Sequence, residues 1–182
     1  MGTENRSGGT PVKPYPLKIV IADSLPDSAA DLLRQMGWKV DARARRSREK
    51  LLHDLKDADG LIVRSNTQVD AELLASAPQL KVIARAGTGV ENIDVGAASA
   101  RGILIINAPG ANSVSVAEHT CALMLALGRS IARADTAMKQ GQWTKKELVG
   151  IELRGKNLGL VGLGRVGQEV AFRARAFGMH VV

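Results

Sequence analysis

The feature that most restricts the fold of this chain is a rhythm of short apolar runs and helical patterns that begins at Lys18. Five runs rich in Val and Ile are predicted to be strands, at residues 18–23, 39–44, 60–65, 81–86 and 103–108. Their starts recur about every 20 residues, which is enough for one strand and one returning helix. Strands joined by helices run parallel. Residues 17–108 are therefore predicted to form an α/β domain, a five-stranded parallel sheet with helices on both faces.

Turn and capping residues mark the four helices between these strands. The signals are Pro26 and Gly37 for the first helix, Ser47 for the second, Asp70 and Pro78 for the third, and Gly102 after the fourth. Pro near a helix start and Gly just past its end is the usual asymmetry. Asp23 ends the first strand, and we expect it to cap the helix that follows.

The pattern changes after the run "NAPGAN". Ser115 and Glu118 form an S-x-x-E capping box, which predicts the start of a long helix. Its apolar stripe consists of Thr120, Met124, Leu127, Ile131, Ala134 and Met138. A single helix from Ser115 to near Gly141 holds about 25 residues and reaches about 37 Å, long enough to cross between domains. We therefore place a boundary near residue 109, with a second domain over residues 109–182.

The second domain contains a glycine fingerprint. The strand-like run at residues 157–161 leads into Gly162, Gly164 and Gly167, which have the spacing G-x-G-x-x-G, and a helical pattern follows. In nucleotide-binding folds the three glycines permit a tight turn, a close approach of the pyrophosphate, and helix–strand packing. Glycine-rich turns also occur for packing alone, but the strand before and the helix after favour nucleotide binding. Arg165 and Val166 lie inside the fingerprint, where Arg165 either meets a phosphate or is simply solvated.

Such a unit normally has an acidic residue about 20 residues after the fingerprint, which holds a ribose hydroxyl. After Glu169 the chain contains no Asp or Glu. We interpret the strand that presents this acid as unfinished. Residues 109–182 are therefore predicted to be a partial Rossmann domain, and the chain the N-terminal part of an enzyme.

Three polar loops are predicted at the carboxyl ends of neighbouring strands, where parallel sheets bind their ligands. They contain Arg64 with Ser65, the glycine run 87–89, and Asn107. An Arg beside a hydroxyl suits a carboxylate or phosphate, and glycine-rich backbone offers N–H groups to anions. Taken singly, Arg64 and Arg85 are as readily explained as edge charges and the glycines as turns. Their convergence on one rim favours an anion site.

Composition excludes several classes of function. The formal net charge is +7, but the densest basic run, residues 43–50, is typical of a solvated face, and the 3% aromatic content disfavours base stacking on nucleic acid. No run approaches the length of a membrane span. Residues 1–16 lack the apolar segment of a signal peptide and are predicted to be a flexible tail.

Side chains with metal-binding or nucleophilic chemistry are sparse. Cys121 is the single cysteine, which excludes an intrachain disulfide framework and fits a reducing cytoplasm. His53, His119 and His180 are scattered singly, so we expect no metal site. No nucleophile–base pair or carboxylate dyad is visible, and no catalytic residue is assigned.

Several segments taken together resemble a known family. "VRSNT", "RAGTGVENID", "NAPGANSVSVAEHTCALMLALGR" and "KKELVGIELRGKNLGLVGLGRVG" occur in the order found in the D-isomer-specific 2-hydroxyacid dehydrogenases, and the resemblance covers residues 17–182. "RAGTGVENID" and "NSVSVAEHT" indicate its phosphoglycerate branch. The resemblance implies a flavodoxin-like substrate domain followed by a Rossmann domain. It also implies NAD-dependent oxidation of 3-phospho-D-glycerate to 3-phosphohydroxypyruvate, the first step of serine biosynthesis, in the cytoplasm.

The resemblance also assigns roles to individual residues. Substrate contacts are implied for Arg64, Ser65, Gly87, Asn107 and, from a partner subunit, Arg85; cofactor contacts are implied for Thr88, Gly162, Gly164, Arg165, Val166 and Gly167. The helix from Ser115 is implied to form much of a homodimer interface. The family's Arg, Glu and His, which orient substrate and move the proton, come after residue 182, so the chain is expected to be inactive alone.

Two alternatives remain open. One is another D-2-hydroxyacid dehydrogenase, such as a hydroxypyruvate or glyoxylate reductase, and the other is a non-catalytic NAD-sensing protein of the same fold. NAD and NADP cannot be separated, because the ribose-binding acid is not among the 182 residues.

Overall fold

A computed structural model describes residues 16–43 and 46–182 of the chain. It divides into two compact units, of which the first ends at Asn107 and the second begins at Ala108. Residues 1–15 of the predicted flexible tail lie outside the described residues, as do Ala44, the predicted end of the second strand, and Arg45 in the basic run.

The first unit alternates strands and helices throughout. Its elements are β1 (Lys18–Ile21), α1 (Asp27–Gln35), β2 (Lys39–Asp41), α2 (Arg48–Asp54), β3 (Gly60–Val63), α3 (Ala71–Ala75), β4 (Val82–Arg85), α4 (Val95–Ala100) and β5 (Leu104–Ile106). All four strand pairs are parallel, and the strand order is β2-β1-β3-β4-β5. This is the flavodoxin-like strand order. β2 lies on one side of β1, and β3 lies on the other side, so the order in which strands are added to the sheet reverses between β1 and β3. The predicted five-stranded parallel sheet is confirmed.

Both faces of the sheet are covered, so the strands are apolar on both sides. Val20, Leu61 and Ile83 point to one face, where they pack with the buried leucines of α2 and α3 and with Ala98 of α4. Ile19 and Ile21 point to the other face and pack with α1. One helix therefore covers one face and three cover the other.

Side-chain caps set the starts of three of these helices. Ser47 Oγ accepts from the N–H of Lys50 at the start of α2, and Asp70 and Asp94 carboxylates accept from the first turns of α3 and α4. No side chain caps α1, which follows Pro26. The expectation that Asp23 caps this helix is therefore wrong, and its carboxylate binds a different segment.

Three arginines of the predicted basic face, Arg43, Arg46 and Arg48, form ion pairs with acidic side chains. The Arg46 side chain is only 3% exposed and binds Asp41 and Asp54, with Nη2 also donating to the Ile21 carbonyl oxygen. Hydrogen bonds from Arg43 and then Arg46 hold the pKa of Asp41 well below its ordinary value. Arg43 and Arg46 therefore join segments of this unit through ion pairs.

The second unit consists of α5 (Ser113–Gly128), α6 (Ile131–Lys139), a short 3-10 helix (Lys145–Glu147), β6 (Asn157–Leu158), α7 (Arg165–Ala176) and β7 (His180–Val181). β6 and β7 pair in parallel with α7 between them, which is one βαβ unit. α5 packs against α7. Its buried residues Ser113, Ala117 and Cys121 are spaced four apart along one face.

The predicted single helix from Ser115 to near Gly141 is wrong, because α5 ends at Gly128 and α6 begins at Ile131. Ser130 between them has a left-handed backbone, with φ 51°. The carbonyl oxygen of Gly128 accepts from the N–H of Ile151 at 2.8 Å instead of continuing the helix. Gly128 is also a poor residue for a helix interior.

The predicted capping box is wrong as well. α5 begins at Ser113 with Asn112 as its N-cap residue, so Ser115 already lies inside the first turn. Glu118 instead stands 3.8 Å from the Arg173 guanidinium on α7. Pairing across two packed helices has replaced the local interaction that the sequence pattern indicates.

Among residues 16–43 and 46–182, no helix is both long and apolar enough to span a bilayer.

Candidate functional site

The loop that follows β3 is held by a buried carboxylate from the end of β1. Asp23 is 7% exposed, and its Oδ2 accepts from the Arg64 N–H at 2.5 Å and from the Thr67 N–H at 3.3 Å. Its Oδ1 accepts from Thr67 Oγ1 at 2.8 Å. β1 and β3 flank the point where strand order reverses, so Asp23 fixes the loop at the position where such sheets bind ligands.

A second buried side chain, Asn92, joins the loops after β3 and β4. Its Nδ2 donates to the carbonyl oxygens of Arg64 at 2.8 Å and Thr67 at 2.6 Å. Its Oδ1 accepts from Arg85 Nε at 3.4 Å. The backbone of this segment is tied to the same loop, because the N–H of Val69 donates to the Asn92 carbonyl oxygen. One amide group therefore contacts both arginines of the predicted anion site.

Arg85 is the last residue of β4, and its guanidinium folds over the glycine loop of the same chain. A Cβ at Gly87 would overlap Arg85 Nη1 and lie 3.1 Å from Cζ, so any larger residue would displace the guanidinium. Glu91 folds against Gly89 in a similar way, and its Oε2 lies 3.4 Å from Arg85 Nη2. The Glu91 side chain is 75% exposed, so a carboxylate accessible to solvent already pairs with this cation.

Asn107 follows β5 and completes the rim. Its Nδ2 donates to the Thr88 carbonyl oxygen at 2.6 Å, which holds the middle of the glycine loop against the neighbouring strand end. Arg64 and Ser65 are exposed, whereas Gly87, Thr88 and Asn107 are half-buried. The predicted substrate residues and Thr88 thus lie at or just after the carboxyl ends of β3, β4 and β5, along the same end of the sheet.

Sequence reasoning misses the two side chains that hold these loops together. It assigns Asp23 to a helix cap, and it gives Asn92 no role although this residue belongs to the segment "RAGTGVENID". A signal exists for Asp23, which is polar directly after a strongly apolar run, whereas Asn92 lies in a mixed segment directly after Glu91. Their partners are 41 and 28 residues away in the chain, and spacing patterns do not reach that far.

The structure explains two of the three glycines of the fingerprint in the second unit. Gly162 has φ 103°, a conformation that side chains disfavour. A Cβ at Gly167 would overlap the Gly162 carbonyl oxygen, so this glycine permits close packing of the turn on the helix. A Cβ at Gly164 would meet nothing within 4 Å, and its φ of −73° is ordinary. Nothing within the described part of the chain therefore requires glycine at residue 164.

The N-terminus of α7 faces out of this turn. Gly164 is the N-cap residue and no side chain caps the helix. Gln168 makes the first bond back into the turn, from its N–H to the Gly164 carbonyl oxygen, so the N–H groups before it point out of the helix end. An open groove of about 460 Å³, lined partly by Leu163 and His180, adjoins the turn.

Arg165 is the first residue of α7 rather than part of a free loop. Its side chain packs toward the start of α5, where a Cβ at Gly110 would stand 2.9 Å from Arg165 Cδ. Gly110 has φ 83° and lies three residues before the buried Ser113. The guanidinium is therefore near two helix N-termini, those of α5 and α7.

The parallel sheet of the first unit and the glycine turn that opens α7 in the second unit place the chain in the α/β class of folds. The model of the family described as D-isomer specific 2-hydroxyacid dehydrogenase, catalytic domain, matches residues 19–177. The chain belongs to this family. It is 48% identical over 166 residues to the D-3-phosphoglycerate dehydrogenase of Archaeoglobus fulgidus, a match that covers 91% of this chain and 32% of the relative.

Solved structures agree in fold. The TT0316 protein from Thermus thermophilus matches with a TM-score of 0.84 and 38% identity, over 91% of this chain and 55% of that chain. The NAD⁺-bound 3-phosphoglycerate dehydrogenase of Entamoeba histolytica matches with a TM-score of 0.74 and 31% identity, over 92% of this chain and 53% of that chain. The chain spans about a third of the length of the curated relatives it matches.

Proposed function

We propose that this chain carries the substrate-binding part and the first part of the nucleotide-binding domain of an NAD-dependent D-3-phosphoglycerate dehydrogenase. The reaction is oxidation of 3-phospho-D-glycerate to 3-phosphohydroxypyruvate, at the entry to serine biosynthesis in the cytoplasm. The observation that carries the proposal is the edge of the first unit, where Arg64, Arg85 and the glycine loop are joined through Asn92. Residues 17–108 are assigned to substrate and residues 109–182 to the cofactor.

The chemistry of this edge suits a small molecule with two anionic groups. Arg64 and Arg85 supply two guanidinium groups, which bind carboxylate or phosphate through paired hydrogen bonds. We assign both to one subunit, in place of the partner-subunit role that the resemblance implies for Arg85, because its guanidinium folds over the glycine loop of its own chain. The N–H groups of the loop at Gly87 add neutral donors of the kind that anions occupy. Phosphoglycerate carries a carboxylate and a phosphate, so it uses both kinds of donor.

The fingerprint in the second unit fits a dinucleotide. The outward N–H groups at the start of α7 match a pyrophosphate, because the helix dipole adds favourable charge there. Gly164 leaves open space at the turn, and open space is what close approach of a phosphate requires. When bound, NAD⁺ accepts a hydride from the carbinol carbon of the substrate. The hydroxyl proton needs a general base, and no described residue is assigned to that role.

The proposal includes a homodimer formed through α5. The second half of this helix, residues 121–128, is apolar around its circumference, and Leu123 and Leu127 on it are 57% and 84% exposed. A helix that is hydrophobic all round is normally buried. A second copy of the chain is the partner that the family resemblance implies.

Binding to the 182-residue chain tests the proposal. 3-Phosphoglycerate should shift the backbone amide NMR signals of Arg64, Gly87 and Gly89, and glycerate, which lacks the phosphate, should bind more weakly. Arg64→Ala should weaken phosphoglycerate binding by about tenfold or more, as expected for losing a hydrogen-bonded charge. Arg34→Ala is the matched control, since Arg34 lies on α1 and its guanidinium pairs with Asp31 of the same helix. Equal dissociation constants for wild type and Arg64→Ala would remove Arg64 from the site.

The same titrations separate the alternatives. Equal binding of glycerate and phosphoglycerate would favour a reductase of the same family that acts on unphosphorylated acids. If the chain binds NAD⁺ but binds neither glycerate nor phosphoglycerate, the NAD-sensing protein would be favoured.

A further inference from the structure

We propose that Asn92 is a positioning residue that sets the separation of Arg64 and Arg85, and thereby selects substrates that carry two anionic groups. The inference rests on the proposed function for its substrate. It goes beyond that function because Asn92 itself is not expected to touch the substrate: it is 7% exposed and lies beneath the two loops.

The hydrogen bonds of Asn92 require an amide. Two carbonyl oxygens, of Arg64 and Thr67, need two donors from Nδ2, and Arg85 Nε needs an acceptor, which Oδ1 supplies. Asn provides two donors and an acceptor on one short side chain. A carboxylate would still accept from Arg85 but would face the two carbonyl oxygens with repulsion. An apolar side chain would leave all three groups without this partner.

The two arginines are fixed through different atoms. Arg64 is held by its backbone, with its N–H on Asp23 and its carbonyl oxygen on Asn92. Its guanidinium is exposed and makes a long hydrogen bond, from Nη1 to the Ser24 carbonyl oxygen at 3.4 Å, which a ligand could replace. Arg85 is held by its side chain, which is only 13% exposed. A ligand that spans both cations therefore depends on Asn92, whereas a ligand with one anionic group depends on it much less.

Two variants test this, one that releases the Arg85 side chain and one that keeps it bound. Asn92→Ala should release both sides, so amide hydrogen exchange at residues 64–67 and the Arg85 side-chain Nε–H signal should both change. Asn92→Asp should release residues 64–67 alone, because its carboxylate still accepts from Arg85. We expect exchange at residues 64–67 to accelerate by about tenfold in both variants, as for a loop whose local opening becomes easier. Ser76→Ala is the control, since it removes a hydrogen bond to the Leu73 carbonyl oxygen at the end of α3, away from these loops.

Ligand selectivity is the readout that a purely structural role would not move. In Asn92→Ala, the ratio of the glycerate dissociation constant to the phosphoglycerate dissociation constant should fall by about fivefold or more toward unity. Partial unfolding would instead weaken the binding of both ligands equally and leave this ratio unchanged. An unchanged ratio in a folded Asn92→Ala variant overturns the proposal, as does failure of both Asn92 variants to fold, which would assign Asn92 to the fold alone. If the wild type binds neither acid, the proposed function fails. In that case amide hydrogen exchange alone tests whether Asn92 couples the two loops. Unaltered exchange rates at residues 64–67 in the Asn92 variants would refute that coupling.

Discussion

The same substitution at two glycines of the fingerprint should have opposite consequences. At Gly167 a Cβ would overlap the Gly162 carbonyl oxygen and stand 3.3 Å from its carbon, and backbone atoms cannot rotate away. Overpacking of this kind costs about 1–3 kcal/mol, against which alanine gains up to about 1 kcal/mol in helix propensity. Because the overlapped atoms are backbone, we expect a cost of about 2–3 kcal/mol, in the upper part of that range, so Gly167→Ala should lower the free energy of unfolding by about 1–2 kcal/mol.

At Gly164 the expected stability change is close to zero. Its Cβ would meet nothing within 4 Å and its backbone suits any residue. Alanine is a poorer N-cap residue than glycine by several tenths of a kcal/mol, but it reduces the entropy of the unfolded chain by about 0.4–1 kcal/mol. The methyl group nevertheless occupies the space through which a pyrophosphate would approach. Gly164→Ala should therefore abolish NAD⁺ binding while leaving the fold intact.

Thermal unfolding followed by circular dichroism, together with NAD⁺ titration followed by amide NMR signals, separates these outcomes. About 1 kcal/mol shifts the midpoint of a domain of about 60–100 residues by about 4–8 °C, so Gly167→Ala should melt visibly earlier than Gly164→Ala. Retention of NAD⁺-induced shifts at residues 162–167 in Gly164→Ala would refute the assignment of this turn to the cofactor. An unchanged midpoint in Gly167→Ala would refute the packing argument.

Three further outcomes follow from charge and site composition. Asp41→Asn should lower the free energy of unfolding by about 1.5–3 kcal/mol at neutral pH. Arg43 and Arg46 hold the folded-state pKa of Asp41 well below its ordinary 3.8, so this stabilisation is present above that value and is lost as pH falls through the folded-state pKa. The difference between the urea unfolding curves of variant and wild type should therefore begin to shrink below about pH 4 and continue to shrink at lower pH, and a constant difference would count against this. Glu91→Gln should tighten phosphoglycerate binding by about two- to fivefold, because an exposed carboxylate no longer competes for Arg85. Glu72→Gln, whose partner is Arg48, is the control and should leave binding unchanged. Weaker binding in Glu91→Gln would show that Glu91 assists the ligand instead. The 182-residue chain given NAD⁺ and phosphoglycerate should form no NADH, since no described residue is assigned to take the hydroxyl proton, and measurable NADH formation would place a base within the chain.

Local sequence signals predict the site loops but not their connections. Arg64, Gly87 and Asn107 can be found because each follows an apolar strand, and the ends of parallel strands share one edge. The predicted strands extend past the observed ones at their carboxyl ends, and those extra residues are the ones that form the loops. The link through Asn92 cannot be found in this way, because hydrogen bonds between an asparagine and a carbonyl oxygen 28 residues away leave no periodic pattern.

By itself the sequence determined the parallel α/β sheet of the first unit, since alternating apolar runs and helix signals leave that topology few alternatives. It also determined where the glycine turn meets its helix. Only the tertiary structure decided where α5 stops, because the Gly128 carbonyl oxygen is taken by Ile151, a residue brought there by the returning chain. It likewise decided that Asp23 binds a loop rather than capping a helix, and that Asn92 joins two loops. Local propensities differ by about 1 kcal/mol or less per residue, so buried hydrogen bonds between distant segments override them.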